Sequence, residues 1–211
     1  MRKDSLQYLN NINNRLKTAV QFHLESADMY AYLSLYGFFA MHEWRTIDEQ
    51  LCQRKLKLFT TRHCDMTPPD EPPVPANLLS PLTRNKARNE MSLDERWTAV
   101  KSGFEAWCRW ETDSLEVYSA TAKQLSDIGD MAAYKFVLKI VEEVDRELAF
   151  INDMITALSG MEWDMPTIVD KQDTWQELYA AKIRRLYKLY PLWHHNNSAE
   201  PGEWLEDGKD D

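Results

Sequence analysis

Residues 66–91 read MTPPDEPPVPANLLSPLTRNKARNEM, and this stretch decides how the rest of the chain is arranged. It contains six prolines, at positions 68, 69, 72, 73, 75 and 81. A proline ring cannot continue a helix, so the stretch is predicted to be a long connection and not a buried element. A connection of this length allows the helix before it and the helix after it to run parallel.

Two helices are predicted before this connection. Residues 5 to about 36 keep helical periodicity without Pro or Gly, and Gly37 then supplies a residue that tolerates the left-handed conformation in which many helices end. A second periodic run covers about residues 39–64 and stops before Pro68. The chain up to the connection is therefore expected to form a pair of long helices.

Three more helices are predicted after it. Ser92 and Glu95 have the spacing of a capping box, which starts a third helix that continues to about Leu125. A fourth helix is expected at about 130–158 and a fifth at about 170–190, where Pro191 ends it. We expect a four-helix bundle over 1–165, a fifth helix over 166–191 and a disordered acidic tail over 192–211.

The composition limits the function. The net charge is −9 and no compact basic patch dominates the main body, so nucleic acid is not an expected partner, whereas cations are. No run of about 18 uncharged apolar residues is present, so a membrane span is not predicted. The three cysteines, Cys52, Cys64 and Cys108, are odd in number and widely spaced, which favours a reducing, cytoplasmic setting over a disulfide framework.

Four of the predicted helices carry a carboxylate within an apolar face. Glu25 interrupts an aromatic stripe on the first helix, Glu49 lies among apolar neighbours on the second, and Glu111 is central on the third. Glu143 and Glu147 are one turn apart on the fourth. Burying one ionised carboxylate costs several kcal/mol, so a group of them is expected to hold a cation. From spacing alone, a metal site and a plain bundle both stay open.

The first helix leaves its orientation open, because it is apolar on nearly every side. If a second arc faces the core, the Glu25 side becomes a subunit contact. This second arc contains Leu9, Ile12, Leu16, Val20, Ala27 and Tyr30.

Two segments resemble ferritins. Residues 25–35, ESADMYAYLSL, are similar to the first ferritin helix, in which a ligand Glu precedes a Tyr-Leu-Ser run. Residues 48–56, DEQLCQRKL, are similar to the ferritin Glu-Glu-x-x-His-x-x-Lys-Leu segment, with Cys52 in the histidine position. The resemblance covers about residues 9–160. It implies an all-α, ferritin-like four-helix bundle with a long crossover between the second and third helices and a fifth C-terminal helix.

The resemblance also implies a di-iron centre. The residues that match its iron-site positions are Glu25, Glu49, Cys52, Glu111, Glu143 and Glu147, and Tyr32 matches the tyrosine beside the centre. The implied activity is oxidation of ferrous iron, in which O2 accepts the electrons and the ferric product is stored inside a cage of identical subunits.

Three substitutions depart from the ferritin pattern. Cys52 replaces a histidine, Val144 stands where a glutamine is common, and Arg146 is placed to supply positive charge to Glu143 or Glu147 without a metal. The first connection is also short. A turn at Gly37 brings Glu25 and Glu49 to one level, whereas a turn near His42 places Lys55 or Leu58 opposite Glu25.

Two further functions are therefore kept. One is a subunit with a ferritin-like fold and a lost oxidation centre, which acts as a binding or structural protein. The other is a ferritin-like oxygenase with an organic substrate in a cavity near the centre.

The fifth helix carries aromatic residues beside Lys182, Arg184, Arg185 and Lys188, which fits packing against the bundle or docking on a membrane or partner helix. His63, His194 and His195 are assigned no role.

Overall fold

The computed structural model describes residues 3–65 and 88–189, and the regular structure of these residues is entirely helical. The elements are α1 (Lys3–Tyr32), α2 (Tyr36–Cys64), a 3-10 turn at Arg88–Glu90, α3 (Leu93–Asp127), α4 (Met131–Gly160) and α5 (Met165–Leu189). The predicted all-α class with a fifth helix is confirmed. Most of the proline-rich connection and the acidic tail, with His194 and His195, lie outside the described residues.

Helices α2 and α3 run in the same direction. Phe38 packs on Phe104 with ring centroids 5.1 Å apart, and one turn further along both helices His42 packs on Trp107 at 4.8 Å. Since residue numbers rise together along this contact, the two helices are parallel, as the long connection predicted. Within the described residues, no helix has the length and hydropathy needed to span a membrane.

The turn between α1 and α2 is not where the sequence predicted it. It spans only residues 33–35, and Ser34 takes the left-handed conformation at φ 60°. Gly37 lies inside the first turn of α2, and His42 lies deeper in that helix, so neither predicted turn position is correct. The hairpin closes earlier than predicted because a serine, and not the glycine, supplies the left-handed residue.

Gly37 serves a different purpose, which is to let α5 approach α2. A Cβ atom at position 37 would lie 2.7 Å from the backbone oxygen of Gln172 and 2.9 Å from Cβ of Trp175. The N–H groups of Gly37 and Phe38 donate to Gln172 Oε1 at 2.9 and 3.2 Å. Because Leu35 provides no capping side chain, Gln172 satisfies these two amides at the start of α2.

Helix α5 then follows α2 in the same direction. Trp175 stacks on Phe38 at 5.0 Å, and Tyr179 stacks on Trp44 at 5.7 Å. The helix begins at Met165, five residues before the predicted start, because Pro166 is tolerated in the first turn of a helix. Its aromatic side packs on the bundle, which supports the packing interpretation of the fifth helix.

The starts of α3 and α4 are fixed by local capping. Ser92 Oγ accepts from the Glu95 N–H at 3.2 Å, and the Ser92 N–H donates to Glu95 Oε2 at 2.9 Å. The predicted capping box is therefore confirmed. Gly129 has φ 70° in the turn before α4, and Asp130 caps that helix by accepting from the Ala133 N–H at 3.1 Å.

The core consists of two apolar clusters with a polar layer between them. The aromatic cluster lies towards the α1–α2 turn and includes Tyr30, Phe38, Phe104, Trp107 and Ile151. The aliphatic cluster lies towards the opposite end and includes Ile12, Leu16, Tyr118, Val137 and Val144. On α3, Glu111 falls between Trp107 and Tyr118, and on α4, Glu147 falls between Val144 and Ile151. The bundle therefore buries carboxylates at mid-height.

Candidate metal centre

Each of the first four helices contributes one buried ligand residue to the polar layer. These residues are His23 on α1, Glu49 on α2, Glu111 on α3 and Glu147 on α4, and one ligand atom from each lies within 4.8 Å of the others. Their exposed fractions are 0%, 7%, 2% and 5%. One imidazole and three carboxylates around a single point form the kind of donor set that four-helix bundles offer to transition metals.

The structure brings together three of the predicted residues, Glu49, Glu111 and Glu147. Glu25 is not in the cluster and is only half-buried, with Gln21 Nε2 donating to its Oε1 at 3.0 Å. The reason is rotation about α1, because residues two apart on a helix point about 200° away from each other. His23 takes the place that the resemblance gave to Glu25.

The sequence contains a signal for His23. His23 continues a series of steps of three and four residues whose apolar members are buried in the structure, and these members are Leu9, Ile12, Leu16, Ala19 and Tyr30. These belong largely to the second arc considered for α1, and that arc does face the core, although Phe22 and Met29 of the first arc are buried as well. A histidine inside an apolar arc is the same kind of signal as a glutamate inside one.

The other predicted site residues lie outside the four-residue cluster. Cys52 and Glu143 line the cavity that leads to it, and burial raises the pKa of the Cys52 thiol well above its usual value, which keeps the thiol uncharged. Tyr32 is the last residue of α1, nine residues beyond His23, or about 13 Å along the helix axis. It packs against the aromatic cluster.

A buried arginine lies among the carboxylates. Arg45 Nη2 contacts Glu147 Oε2 and is 3.5 Å from Glu49 Oε1, while Nη1 donates to Asp48 Oδ2 at 3.0 Å. The prediction that Arg146 supplies positive charge holds for Glu143, whose raised pKa Arg146 partly opposes, but it is Arg45 that contacts Glu147. Arg146 is exposed and lines the cavity beside Glu143, and its Nε donates to the backbone oxygen of Glu142 at 3.3 Å.

Burial dominates the electrostatics of the centre. It raises the pKa of Glu49 to about 8 and that of Glu111 to about 7, although Arg45 opposes both shifts. Burial, together with His42 and Arg45, holds the pKa of His23 well below its usual value, so this imidazole is neutral. The layer therefore holds a neutral nitrogen donor beside carboxyl groups that tend to bind protons when no cation is present.

His42 contacts the histidine of the cluster. The Nδ1 atoms of His23 and His42 are 2.9 Å apart, and both rings are fully buried. For His23 to offer the Nε2 lone pair to a metal, its proton must be on Nδ1 and be donated to His42. Tyr30 stacks on His42 at 5.2 Å and Trp107 packs on it at 4.8 Å, so the partner ring is itself held in place.

Unsatisfied atoms at the centre test whether a cation fits. Among the described residues, His23 Nε2, Glu111 Oε1 and Glu147 Oε1 are buried without a well-formed hydrogen bond, although the Trp107 indole lies close enough to the Glu111 carboxyl to oppose the rise of its pKa. Buried polar atoms are nearly always hydrogen-bonded in folded proteins, so three such atoms in one cluster need an explanation. All three can donate an electron pair to a cation, and the donor set therefore fits a divalent metal ion.

A cavity of about 450 Å³ connects the cluster to the surface between α2, α4 and α5. Glu49, Glu111 and Glu147 lie along its wall, and α5 contributes Lys182 and Arg185. Its volume is in the range of small-molecule sites. The fifth helix therefore borders the route to the buried centre.

Comparison with solved structures gives the fold its family name. A humanised archaeal ferritin matches with a TM-score of 0.68 at 15% identity, and the match covers 83% of this chain and 97% of that one. The fold is that of the ferritins. An engineered closed form of the Archaeoglobus fulgidus ferritin matches at 0.66 and 17% identity, over 83% and 96% of the two chains.

A PmFTN variant soaked overnight in iron also matches the ferritin-like fold, with a TM-score of 0.65 at 13% identity over 81% of this chain and 98% of that one. No protein-family model matches the sequence, and no curated protein matches it either. At these identities the similarity shows the fold, and the function must be argued from the cluster itself.

Proposed function

We propose that this protein binds ferrous iron at the cluster of His23, Glu49, Glu111 and Glu147, and that the metal is its cargo. The observation that carries the proposal is that four buried ligand residues, one from each bundle helix, converge within 4.8 Å. One imidazole nitrogen with three carboxylates is a donor set that suits ferrous iron. It suits calcium and magnesium less well, because these ions prefer sites made only of oxygen ligands.

The residues have distinct parts in this proposal. Neutral His23 provides a nitrogen ligand that His42 orients, and the three carboxylates provide negative charge that a divalent ion offsets. The cavity beside α5 gives iron and O2 a path to the cluster. Iron held there would supply the electrons that O2 accepts, which makes ferrous oxidation the reaction to measure.

A metal-free scaffold is the second candidate, and the contact between Arg45 and Glu147 favours it. An arginine can keep a buried carboxylate charged without any metal. In that case the chain would be a structural or binding subunit that keeps a ferritin-like fold. The third function, an oxygenase with an organic substrate, is supported only by the volume of the cavity.

Anaerobic calorimetry with ferrous iron, followed by elemental analysis after desalting, separates these candidates. We expect the wild type to retain iron and the Glu111→Gln, Glu147→Gln double variant to retain none. Glu25→Gln is the matched control, since it removes a helix-borne carboxylate outside the cluster and should bind iron like the wild type. Wild-type protein that retains no iron would establish the scaffold instead.

Aerobic addition of ferrous iron then measures oxidation. We expect rapid growth of ferric absorbance with the wild type and with Glu25→Gln, and only the slow background rate with the double variant. Equal rates in all three proteins would end the ferroxidase proposal while leaving iron binding intact. Light scattering on the same samples tests the proposed homo-oligomeric cage, which predicts a mass many times that of one 24.8 kDa chain.

A further inference from the structure

The position of Arg45 bears on how many metal ions the cluster holds. Arg45 is 8% exposed, and its Nη2 atom lies between two ligand carboxylates, in contact with Glu147 Oε2 and 3.5 Å from Glu49 Oε1. A second metal ion bound to these same two oxygens, Glu147 Oε2 and Glu49 Oε1, would need the same space. The guanidinium therefore stands where a second cation of a dinuclear centre would sit.

Arg45 is also held in this position by groups outside the cluster. Its Nη1 donates to Asp48 Oδ2 at 3.0 Å, and its Cζ lies 5.2 Å from the ring centroid of Trp44. Trp44 in turn stacks on Tyr179 of α5 at 5.7 Å. Because these contacts do not involve the ligands, Arg45 keeps its anchor when a metal ion enters beside it.

We propose that the cluster is a mononuclear site in which the Arg45 guanidinium takes the place of the second metal ion. This inference rests on the proposed function, and it goes beyond it by replacing the expected di-iron centre with one iron and one fixed organic cation. The fully buried His23 Nε2, which has no hydrogen-bond partner among the described residues, marks the position of the one ion.

Mn(II) is the probe for this inference, because electron paramagnetic resonance distinguishes an isolated ion from an exchange-coupled pair. We expect wild-type protein to bind one Mn(II) per chain and to show only the isolated-ion spectrum at saturation. Arg45→Lys keeps the charge and should also bind one. Arg45→Met removes the guanidinium from between Glu49 and Glu147, so two coupled Mn(II) ions are expected.

Each outcome bears on the inference. Two coupled ions in the wild type would overturn it and leave the proposed metal binding in place, whereas no bound Mn(II) in the wild type would overturn both. A single isolated ion in Arg45→Met would show that Arg45 does not limit the stoichiometry. Circular dichroism verifies that each variant is folded, and the wild-type stoichiometry decides the question if Arg45→Met does not fold.

Discussion

Two clusters in this molecule place a histidine beside a buried carboxylate, and they differ in how completely their polar atoms are satisfied. At the end of the bundle, Asp130 accepts from Ser5 Oγ at 2.7 Å, from His63 Nε2 at 2.9 Å and from the Ala133 N–H at 3.1 Å. At mid-height, by contrast, His23 Nε2 lies 3.9 Å from Glu147 Oε1, beyond hydrogen-bond distance. The first cluster is complete without a cation.

The pKa directions show the same difference. Burial alone would raise the pKa of Asp130, but the hydrogen bonds from Ser5, His63 and Ala133 outweigh it and lower that pKa. Burial raises the pKa of Glu49 to about 8 in spite of Arg45. Asp130, which the protein itself satisfies, ties three helix ends together, whereas the mid-height carboxyl groups are only partly satisfied, which fits the proposed ligand set.

The largest predicted effect separates the clusters by metal affinity. Glu147→Gln should weaken Mn(II) binding by on the order of 1000-fold, about 4 kcal/mol, because one of three ligand charges is removed. Asp130→Asn should leave the affinity within twofold. Isothermal titration calorimetry measures both, and equal losses in the two variants would mean that the clusters do not differ in function.

The second prediction concerns stability in the absence of metal. Asp130→Ala should lower the free energy of unfolding by about 2–3 kcal/mol, because it removes the N-cap of α4 and leaves buried hydrogen-bonding groups without a partner. Urea denaturation measures the loss. Ser5→Ala, which removes only one of the three bonds, is the control and should cost about 1 kcal/mol. A loss no greater than that of the control would show that Asp130 is not a structural tie.

Opposite pH dependences form the third prediction. The pKa values of Glu49 and Glu111 are raised in the folded state, so the unfolded chain loses these protons first between about pH 4.5 and 8. The stability of the metal-free protein should therefore fall by several kcal/mol as the pH rises through this range. The lowered pKa of Asp130 acts in the other direction, since its stabilisation is lost as pH falls through the folded-state value. Thermal melts across pH measure both trends.

The Glu49→Gln, Glu111→Gln variant is the control for this pH series. It should remove the fall between pH 5 and 8 while keeping the loss of stability in acid, which Asp130→Asn should reduce. A wild-type profile that stays flat from pH 5 to 8 would contradict the assignment of raised carboxyl pKa values at mid-height.

The smallest effect is expected at the partner of the ligand histidine. His42→Phe keeps a ring in the aromatic cluster but removes the acceptor for His23 Nδ1, and it should weaken Mn(II) binding by about tenfold. His63→Phe makes the matched change in the other cluster and should leave the affinity unchanged. Mn(II) affinity that is unaltered in His42→Phe would mean that the contact between the two histidines does not orient the ligand.

Local patterns in the sequence predicted much of the fold. Ser92 and Glu95 start α3 as a capping box does, and the proline-rich stretch predicted that α2 and α3 are parallel. The turn before α2 was misplaced because a glycine there suggested a chain reversal. What requires a glycine at position 37 is the close approach of Gln172 on α5, a residue 135 positions away in the chain. Contacts of this range cannot be read from local spacing.

Only part of the candidate site could be predicted, because the remaining residues depend on contacts between distant parts of the chain. Apolar spacing located Glu49, Glu111 and Glu147, because a carboxylate inside an apolar face is visible on each helix separately. His23 was missed because α1 is apolar nearly all round, so its rotation in the bundle is decided by its neighbours. Arg45 was missed because its contact with Glu147 joins residues 102 positions apart.

Anomalous diffraction from a crystal soaked in Mn(II) tests the central claim most directly, because it locates the ion without relying on any variant. The account predicts one anomalous peak per chain, within bonding distance of His23 Nε2 and of the Glu49, Glu111 and Glu147 carboxylates, with the Arg45 guanidinium beside it. A centre without a peak, or a peak at Asp130 instead, would contradict it.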